Sequence, residues 1–366
     1  MDKPTVIMIL PYLNEAGTER HAAHLVTALR SDLDFVLLSP PGAGRVYFPP
    51  ELSWRMFSPL DRHPVHGFQE FKKHLRDLRV ELAGKPVVVH VHGAPELLLL
   101  THGWLGTIPT LMTIHGFHGR WRMADYHFTA WVCNKYADHV VCVAWAEKEI
   151  LQKKGLSAGK LSLIMNGIPD IDAMKSPVLD GLEQGVPTLG CIARLARPKG
   201  LETLIRAAGI LASSGRKLQL ILVGGGGDEQ RLRLIAGEYP GMKTIFTGHV
   251  PDAGPYYQLF DIFVLVSASE AHALAPIEAM RAGRPVIISD VGGARETVAE
   301  DETGLIIPPG DVDALKRALL KLLDDKALRD AMGAKGRCRY LELFSSARMA
   351  AAVKTIYGEL LSRGGS

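Results

Sequence analysis

Cysteine is scarce in this sequence, at four among 366 residues. No two of the four form a CxxC pair or have the spacing of a zinc site, which argues against a disulfide framework and a structural zinc centre. We therefore expect reduced thiols in a cytoplasmic protein. The cysteines are Cys133, Cys142, Cys191 and Cys338.

The sequence also lacks an excess of charge of either sign and a long apolar run. The formal net charge is +3, so charge gives no argument for a nucleic-acid partner, and we expect none. No stretch reaches the roughly 20 apolar residues that cross a bilayer. The early run "TVIMIL" is too short for a secretory signal, and we interpret it as a first β-strand.

Apolar residues are plentiful, at 47% of the chain, and they recur with strand and helix periods in turn. Such βαβα alternation predicts parallel sheets covered by helices on both faces. The alternation restarts after a stretch rich in Pro, Gly and Asp, which we interpret as a linker. We predict a first domain over 1–168, a linker over 169–186 and a second domain over 187–345. A final helix over 346–366 follows, and we leave open whether it crosses back to the first domain.

The stretch "EAHALAPIEAM" carries two carboxylates, Glu270 and Glu278, on either side of Pro276. Proline is favoured in the first turn of a helix, so we predict a helix that begins near Ala275. Glu278 then lies in its first turn and Glu270 in the loop before it. The apolar run "DIFVLVS" just upstream predicts a strand, so both carboxylates follow the carboxyl end of a strand, where open α/β sheets bind ligands.

The second half carries an ordered set of motifs: "CIARLARPKGLETLIRAA", "LILVGGGGDEQRL", "FTGHV", "SASEAHALAPIEAMRAGRPVIISDVGGARETV" and "GLIIPPGD". In order and spacing they resemble the nucleotide-sugar domain of the retaining glycosyltransferases of family 4, also called group 1. The resemblance continues more weakly through "GTERHAAHL", "TIHG" and "IMNGIP". It implies the GT-B fold, in which two Rossmann-like domains face a central cleft.

The resemblance implies that the first domain binds the acceptor and the second a nucleotide diphosphate sugar, with no cofactor and no metal ion. It gives catalytic roles to Arg194 and Lys199, as a clamp on the leaving diphosphate, to Glu270, at the sugar, and to His115. The clamp makes physical sense because negative charge grows on the diphosphate as the bond to the sugar breaks. Without a bound donor we expect both cation side chains to be exposed to solvent.

Further donor contacts are implied around the predicted helix, whose first N–H groups have no intrahelical partner and attract phosphate. Glu278 is expected to hold the ribose hydroxyls. Alanines replace the usual glycines before the helix, and they permit the same backbone approach only where φ is negative. The implied donor positions are Gly17, Arg194, Lys199, Val250, His272, Ala273, Leu274, Ala275 and Glu278.

Other functions remain as alternatives. Two carboxylates also serve glycosidases, but a diphosphate clamp argues against hydrolysis. A sugar-nucleotide epimerase, a phosphorylase or a non-catalytic nucleotide-sugar-binding homologue stays open.

"DVD" at 311–313 resembles a metal motif of other glycosyltransferases, yet its place before a helical period predicts a helix N-cap. A UDP-sugar is favoured by its frequency in the family, with GDP-mannose as the alternative.

Acceptors of this family are often glycans or lipid-linked sugars, in the synthesis of cell-surface polysaccharides or glycolipids. Two basic stretches with apolar residues could touch anionic headgroups at the cytoplasmic face of a membrane. For 68–79 we favour a helix packed on its sheet with a solvated basic face. For 116–137 both interpretations stay open, because its aromatic residues exceed what a loop needs. They are Trp121, Tyr126, Phe128 and Trp131.

Overall fold

The computed structural model describes residues 3–105, 108–116, 122–170 and 175–364. The chain divides into two compact units. The first runs to Pro169 and resumes at Ser345, and the second is Asp170–Phe344. The division falls next to the predicted boundary, while the described part of the predicted linker groups with the second unit. The last helix belongs to the first unit, so the chain returns to the unit in which it began.

The first unit contains a seven-stranded parallel sheet in the order β3-β2-β1-β4-β5-β6-β7. Its central strands are continuous runs of buried residues, as expected for strands covered on both faces. The strands are β1 (Thr5–Ile9), β2 (Asp34–Ser39), β3 (Ser53–Met56), β4 (Val87–His92), β5 (Thr110–Ile114), β6 (His139–Cys142) and β7 (Leu161–Leu163).

Helices cover both faces of this sheet, where two separate apolar clusters are buried. The first helix buries Ala22, Leu25, Val26 and Leu29, at the spacing of a single helix face. The helices are α1 (Gly17–Leu29), α2 (Pro64–Glu81), α3 (Pro95–Leu105), α4 (Arg122–Tyr136), α5 (Trp145–Lys153) and, from the end of the chain, α12 (Ser346–Gly364).

The second unit contains a six-stranded parallel sheet in the order β10-β9-β8-β11-β12-β13. Its strands are β8 (Thr188–Ile192), β9 (Gln219–Val223), β10 (Lys243–Phe246), β11 (Ile262–Leu265), β12 (Val286–Ser289) and β13 (Gly304–Ile307). Its helices are α6 (Leu201–Ser213), α7 (Glu229–Gly237), α8 (Leu274–Arg281), α9 (Ala294–Thr297), α10 (Val312–Asp324) and α11 (Lys326–Leu343).

Both sheets reverse their direction of growth once. In the first the reversal lies between β1 and β4, and in the second between β8 and β11. The loops after two such strands leave the sheet in opposite directions and open a crevice at their carboxyl ends. The predicted α/β class and doubly wound topology are therefore confirmed, and each unit has one position suited to a ligand.

Two local predictions are confirmed, and one open question is answered. Asp311 does cap α10, because its carboxylate accepts from Ala314 N at 2.8 Å. In α2 the apolar side is buried and the basic side faces solvent, as favoured for 68–79. For 116–137 both interpretations were open; most of this stretch forms α4, and Tyr126 is buried with its hydroxyl on Glu147. Trp121 lies outside the described residues.

Candidate active site

The loop after β8 carries the two predicted cations. Arg194 is exposed, as expected. Lys199 closes a 3₁₀ turn, Arg197–Lys199, and its side chain is only 26% exposed. We expected both side chains to be solvent-exposed, and for Lys199 this is wrong because it has a partner within its own unit.

That partner is Glu270, in the loop after β11. The Lys199 ammonium donates to the Glu270 carboxylate, with Nζ 2.6 Å from Oε1, and the Glu270 side chain is 16% exposed. At this distance and degree of burial, the pair interacts more strongly than two solvated surface ions. Two residues that the sequence assigned to the diphosphate and to the sugar thus form one charge pair.

Close backbone packing fixes the two loops against each other. Ala268 N donates to Pro198 O at 2.8 Å. Gly200 has φ +66°, and a Cβ there would lie 1.9 Å from Val266 O. Gly292 has φ +52°, and its Cβ would meet Glu270 O at 2.0 Å. Only glycine satisfies both the left-handed conformation and the close approach, so these two positions hold Lys199 and Glu270 in place.

Helix α8 begins at Leu274, one residue earlier than predicted, and no side chain of the described residues caps it. Pro276 is its third residue, a position whose missing N–H costs nothing because the first N–H groups of a helix lack intrahelical partners. Leu274 and Ala275 therefore supply the N–H groups at this helix end. Ala273 has φ −68°, so alanine fits where the family favours glycine.

Glu278 lies in the second turn of α8, not in the first as predicted, because the helix starts earlier. It is 2% exposed, and the Tyr257 hydroxyl lies 2.8 Å from its Oε2. The same hydroxyl lies 3.0 Å from Ala275 O, so its single proton has two acceptors. Tyr257 thereby ties Glu278 to the first turn of the helix, a role that no sequence motif indicated.

The remaining donor positions are spread over both units. His272 is buried in the second unit, where its ring packs at 5.7 Å from that of Phe344. Val250 is half-buried in the loop after β10. Gly17 is exposed as the first residue of α1, whose N-cap is Ala16.

His115 belongs to the first unit, directly after β5. Its Nε2 lies 3.0 Å from Nδ1 of His92, the last residue of β4, and the two rings stack. Burial lowers the pKa of both imidazoles well below the usual range, and neighbouring histidines lower it further. The structure thus joins His92 to His115.

Within the second unit the structure thus gathers the carboxyl ends of β8 and β11 around a charged pair and an uncapped helix end. This is the reversal point of the sheet, where ligands bind in open α/β folds. Fixed cations and free N–H groups suit a diphosphate. The sequence identified these loops, but it missed Tyr257 in the second unit and His21 in the first.

The exposed aromatic residues of α4 form a separate feature of the first unit. Phe128 and Trp131 are 42% and 53% exposed, and the Lys135 ammonium lies 5.7 Å from the centroid of the Trp131 ring. Among the described residues, no helix combines the length and apolar character needed to cross a bilayer.

Two family models match most of the chain between them. The model of the glycosyl transferases group 1 matches residues 180–339, and that of glycosyltransferase family 4 matches residues 16–170. The two matches fall on the two structural units in turn. The motifs of the second half and the weaker ones of the first are thus matched independently.

Known relatives and structures agree with these matches. The chain is 30% identical over 47% of its length to the capsular polysaccharide biosynthesis glycosyltransferase CapM of Staphylococcus aureus. It is 34% identical over 43% of its length to a GDP-mannose-dependent monoacylated alpha-(1-6)-phosphatidylinositol monomannoside mannosyltransferase of Corynebacterium glutamicum. These matches span 46% and 43% of the two relatives, less than half of each.

Among solved structures, Anabaena HepE in complex with UDP-glucose superposes with a TM-score of 0.80 at 16% identity. The alignment covers 97% of this chain and 99% of HepE. At this identity the likeness concerns the fold, which is GT-B.

Proposed function

Because this chain belongs to family 4 of the glycosyltransferases, the group 1 family, we propose that it transfers a sugar from a nucleotide diphosphate sugar with retention of anomeric configuration. The observation that carries the proposal is the Lys199–Glu270 pair at the reversal point of the second sheet, next to Arg194 and the start of α8. These groups supply positive charge and N–H donors without a metal ion.

In this proposal the ammonium of Lys199 and the guanidinium of Arg194 neutralise the charge that develops on the departing diphosphate. The N–H groups of Leu274 and Ala275 bind its oxygens at the positive end of the helix. Glu270 accepts from hydroxyls of the transferred sugar, and Glu278 from those of the ribose. His115 contacts the transferred sugar.

No protein nucleophile takes part. The leaving phosphate oxygen accepts the proton of the acceptor hydroxyl while that hydroxyl attacks the same face of the sugar. This front-face route explains why the site needs cations more than a carboxylate with a raised pKa. Neither Glu270 nor Glu278 forms a covalent glycosyl-enzyme.

The donor is a UDP-sugar or GDP-mannose. One of the relatives is named for its dependence on GDP-mannose, and HepE was solved with UDP-glucose, so both nucleotides occur among similar proteins. The acceptor is a glycan or a lipid-linked sugar, in keeping with relatives named for capsular polysaccharide and phosphatidylinositol mannoside synthesis. We place the reaction in the cytoplasm, where the exposed aromatic residues of α4 would touch the membrane surface.

The experiment is a panel of nucleotide sugars, first by thermal shift and then by NMR of the products. A true donor at about 100 times its dissociation constant adds roughly 2.7 kcal/mol of stability. In the presence of acceptor, the proton spectrum should show a new glycoside with the donor's anomeric configuration.

Three outcomes would contradict the proposal. An inverted product would exclude retention, and a changed sugar nucleotide without acceptor would indicate an epimerase. Failure of every nucleotide sugar to stabilise the protein would exclude a donor site.

A further inference from the structure

Three histidine side chains meet inside the first unit, and the proposed transfer explains only one of them. His21 lies in the first half of α1, His92 ends β4 and His115 follows β5. One ring nitrogen from each lies within 4.8 Å of those of the other two, the only such group of three metal-ligating residues in the described chain. They surround the reversal point of the first sheet, between β1 and β4.

Burial favours the neutral form of all three imidazole rings. Burial lowers the pKa of His21 to about 4. The hydrogen bond from His21 to Asn166 opposes this shift, and the nearby His24 adds a smaller lowering. The pKa values of His92 and His115 are also well below the usual range, chiefly because of burial. Neutral imidazole is the form that coordinates metal ions.

Asn166 fixes which nitrogen of His21 can accept. Its side-chain oxygen lies 2.9 Å from His21 Nδ1, and an amide oxygen can only accept, so Nδ1 carries the proton. The lone pair is then on Nε2, on the other side of the ring. That atom is fully buried and has no hydrogen-bond partner among the described residues.

His92 likewise has one ring nitrogen in a hydrogen bond and one without a partner in the described residues. Its Nδ1 shares one proton with Nε2 of His115 at 3.0 Å. Its Nε2 is buried and, within the described chain, has no hydrogen-bond partner. Buried polar atoms without partners are rare, and each calls for a ligand, a water molecule or an ion.

The neighbouring His90 shows that this region can satisfy a buried imidazole completely. His90 Nδ1 lies 2.6 Å from the Tyr357 hydroxyl, and Nε2 lies 2.7 Å from Thr113 Oγ1. Its ring packs on that of His92, with centroids 4.0 Å apart. The open nitrogens of His21 and His92 are therefore a specific property of the cluster.

We propose that His21, His92 and His115 bind a divalent transition-metal ion of the zinc type, with a fourth position left for water or another ligand. Three imidazoles are a common ligand set for such ions. The outer partner of His21 has the expected form, since ligating histidines donate their other N–H to an oxygen.

The distances suit the ion after a small rearrangement. Nitrogens around a tetrahedral zinc ion lie about 3.3 Å apart. The facing nitrogens of His92 and His115 are already near this value, at 3.0 Å. The ligand nitrogens of the three residues lie within 4.8 Å of one another, so the longest of these distances must shorten by up to about 1.5 Å. With the ion on the two facing nitrogens, His92 and His115 carry their protons on the outer nitrogens, Nε2 and Nδ1. The buried Nε2 of His92 is then an N–H donor, and a water molecule is the acceptor that it needs.

This site goes beyond the proposed transfer, whose diphosphate charge is met by residues of the second unit. The test therefore measures metal binding rather than activity. The full-length protein is stripped with a chelator and titrated with Co²⁺, which reports nitrogen coordination by its visible d–d absorption, and with Zn²⁺ by calorimetry. We expect one equivalent of either ion to bind.

Variants identify the ligands. His21→Ala and His115→Ala should each lose the visible band and at least tenfold in affinity, and Asn166→Ala should lose about 10–100-fold as the outer partner of His21. His24→Ala is the matched control, because His24 lies one turn further along α1 and bonds Gly167 O instead. Its affinity should equal that of the wild type.

Circular dichroism without metal checks that each variant is folded. If a ligand variant does not fold, the metal affinity of Asn166→Ala and the stoichiometry of the wild type still test the proposal. The proposal is overturned if the folded wild type binds neither ion, or if the folded ligand variants retain the wild-type affinity.

Discussion

Lys199 and Glu270 form an ion pair with a 2.6 Å separation, although they are 71 positions apart in the sequence. The pair connects the two loops at the reversal point of the second sheet. A diphosphate would approach the Lys199 ammonium, which already has Glu270 as its counter-ion. Binding of the donor would therefore weaken the contact between Lys199 and Glu270. The carboxylate that Lys199 releases is then available to sugar hydroxyls.

The first prediction concerns this coupling. Lys199→Ala, Glu270→Gln and the double variant should give a coupling of about 1 kcal/mol in the free energy of unfolding, because the pair is half-buried and not fully desolvated. Urea denaturation of the four proteins measures it. Additive effects of the two substitutions would show that the ion pair contributes nothing to stability.

The two glutamates should differ in their kinetic effects. Glu270→Gln should lower kcat more than it raises KM, since Glu270 is assigned to the reacting sugar. Glu278→Gln should raise the donor KM, by the equivalent of about 1–2 kcal/mol for a charge-assisted hydrogen bond. Tyr257→Phe should cause a smaller change of the same kind, because it removes the hydroxyl that holds Glu278. Steady-state kinetics with varied donor test this assignment, and identical defects in both glutamate variants would refute it.

Gly200→Ala should destabilise the protein and weaken donor binding together. The left-handed conformation costs alanine about 1–2 kcal/mol, and the clash with Val266 O adds about 1–3 kcal/mol. Gly215→Ala is the control, because Gly215 also has a positive φ, +93°, but no atom within 4 Å of the added Cβ. Thermal unfolding should show the larger loss for Gly200→Ala, and equal losses would mean that the close packing of the loops is unimportant.

Nucleotide binding should not need a divalent cation. The dissociation constant of UDP or GDP in EDTA should lie within about twofold of that in Mg²⁺, because side chains and a helix end supply the positive charge. Calorimetry in the two buffers is sufficient, and it is independent of any ion in the histidine cluster. Binding that appears only with Mg²⁺ would place a metal ion at the diphosphate.

The sequence predicted the doubly wound sheets because buried parallel strands and amphipathic helices have clear periods. It predicted the loops of Arg194, Lys199 and Glu270 because they follow such strands within a recognisable set of motifs. Short edge strands escaped notice, as in β3, whose residues are exposed or half-buried and give no apolar run.

Side-chain pairing could not be predicted in the same way. Lys199 with Glu270, Tyr257 with Glu278 and His21 with Asn166 each join residues that only the order of strands brings together. The start of α8 was predicted to within one residue, and the difference has a local cause, since proline is tolerated at any position in the first turn of a helix. For the histidine cluster, the sequence offered one indication, namely histidines at the ends of neighbouring strands, such as His92 and His115.

The most direct test of the donor site is a calorimetric titration of UDP and GDP against the wild type, Arg194→Ala and Arg197→Ala. Arg194 and Arg197 are both exposed and lie three residues apart in the same loop, but only Arg194 is assigned to the diphosphate. We predict one equivalent of one nucleotide on the wild type, a loss of affinity of about tenfold or more in Arg194→Ala, and little change in Arg197→Ala. Absence of binding to the wild type, or equal affinities in the two variants, would contradict the account.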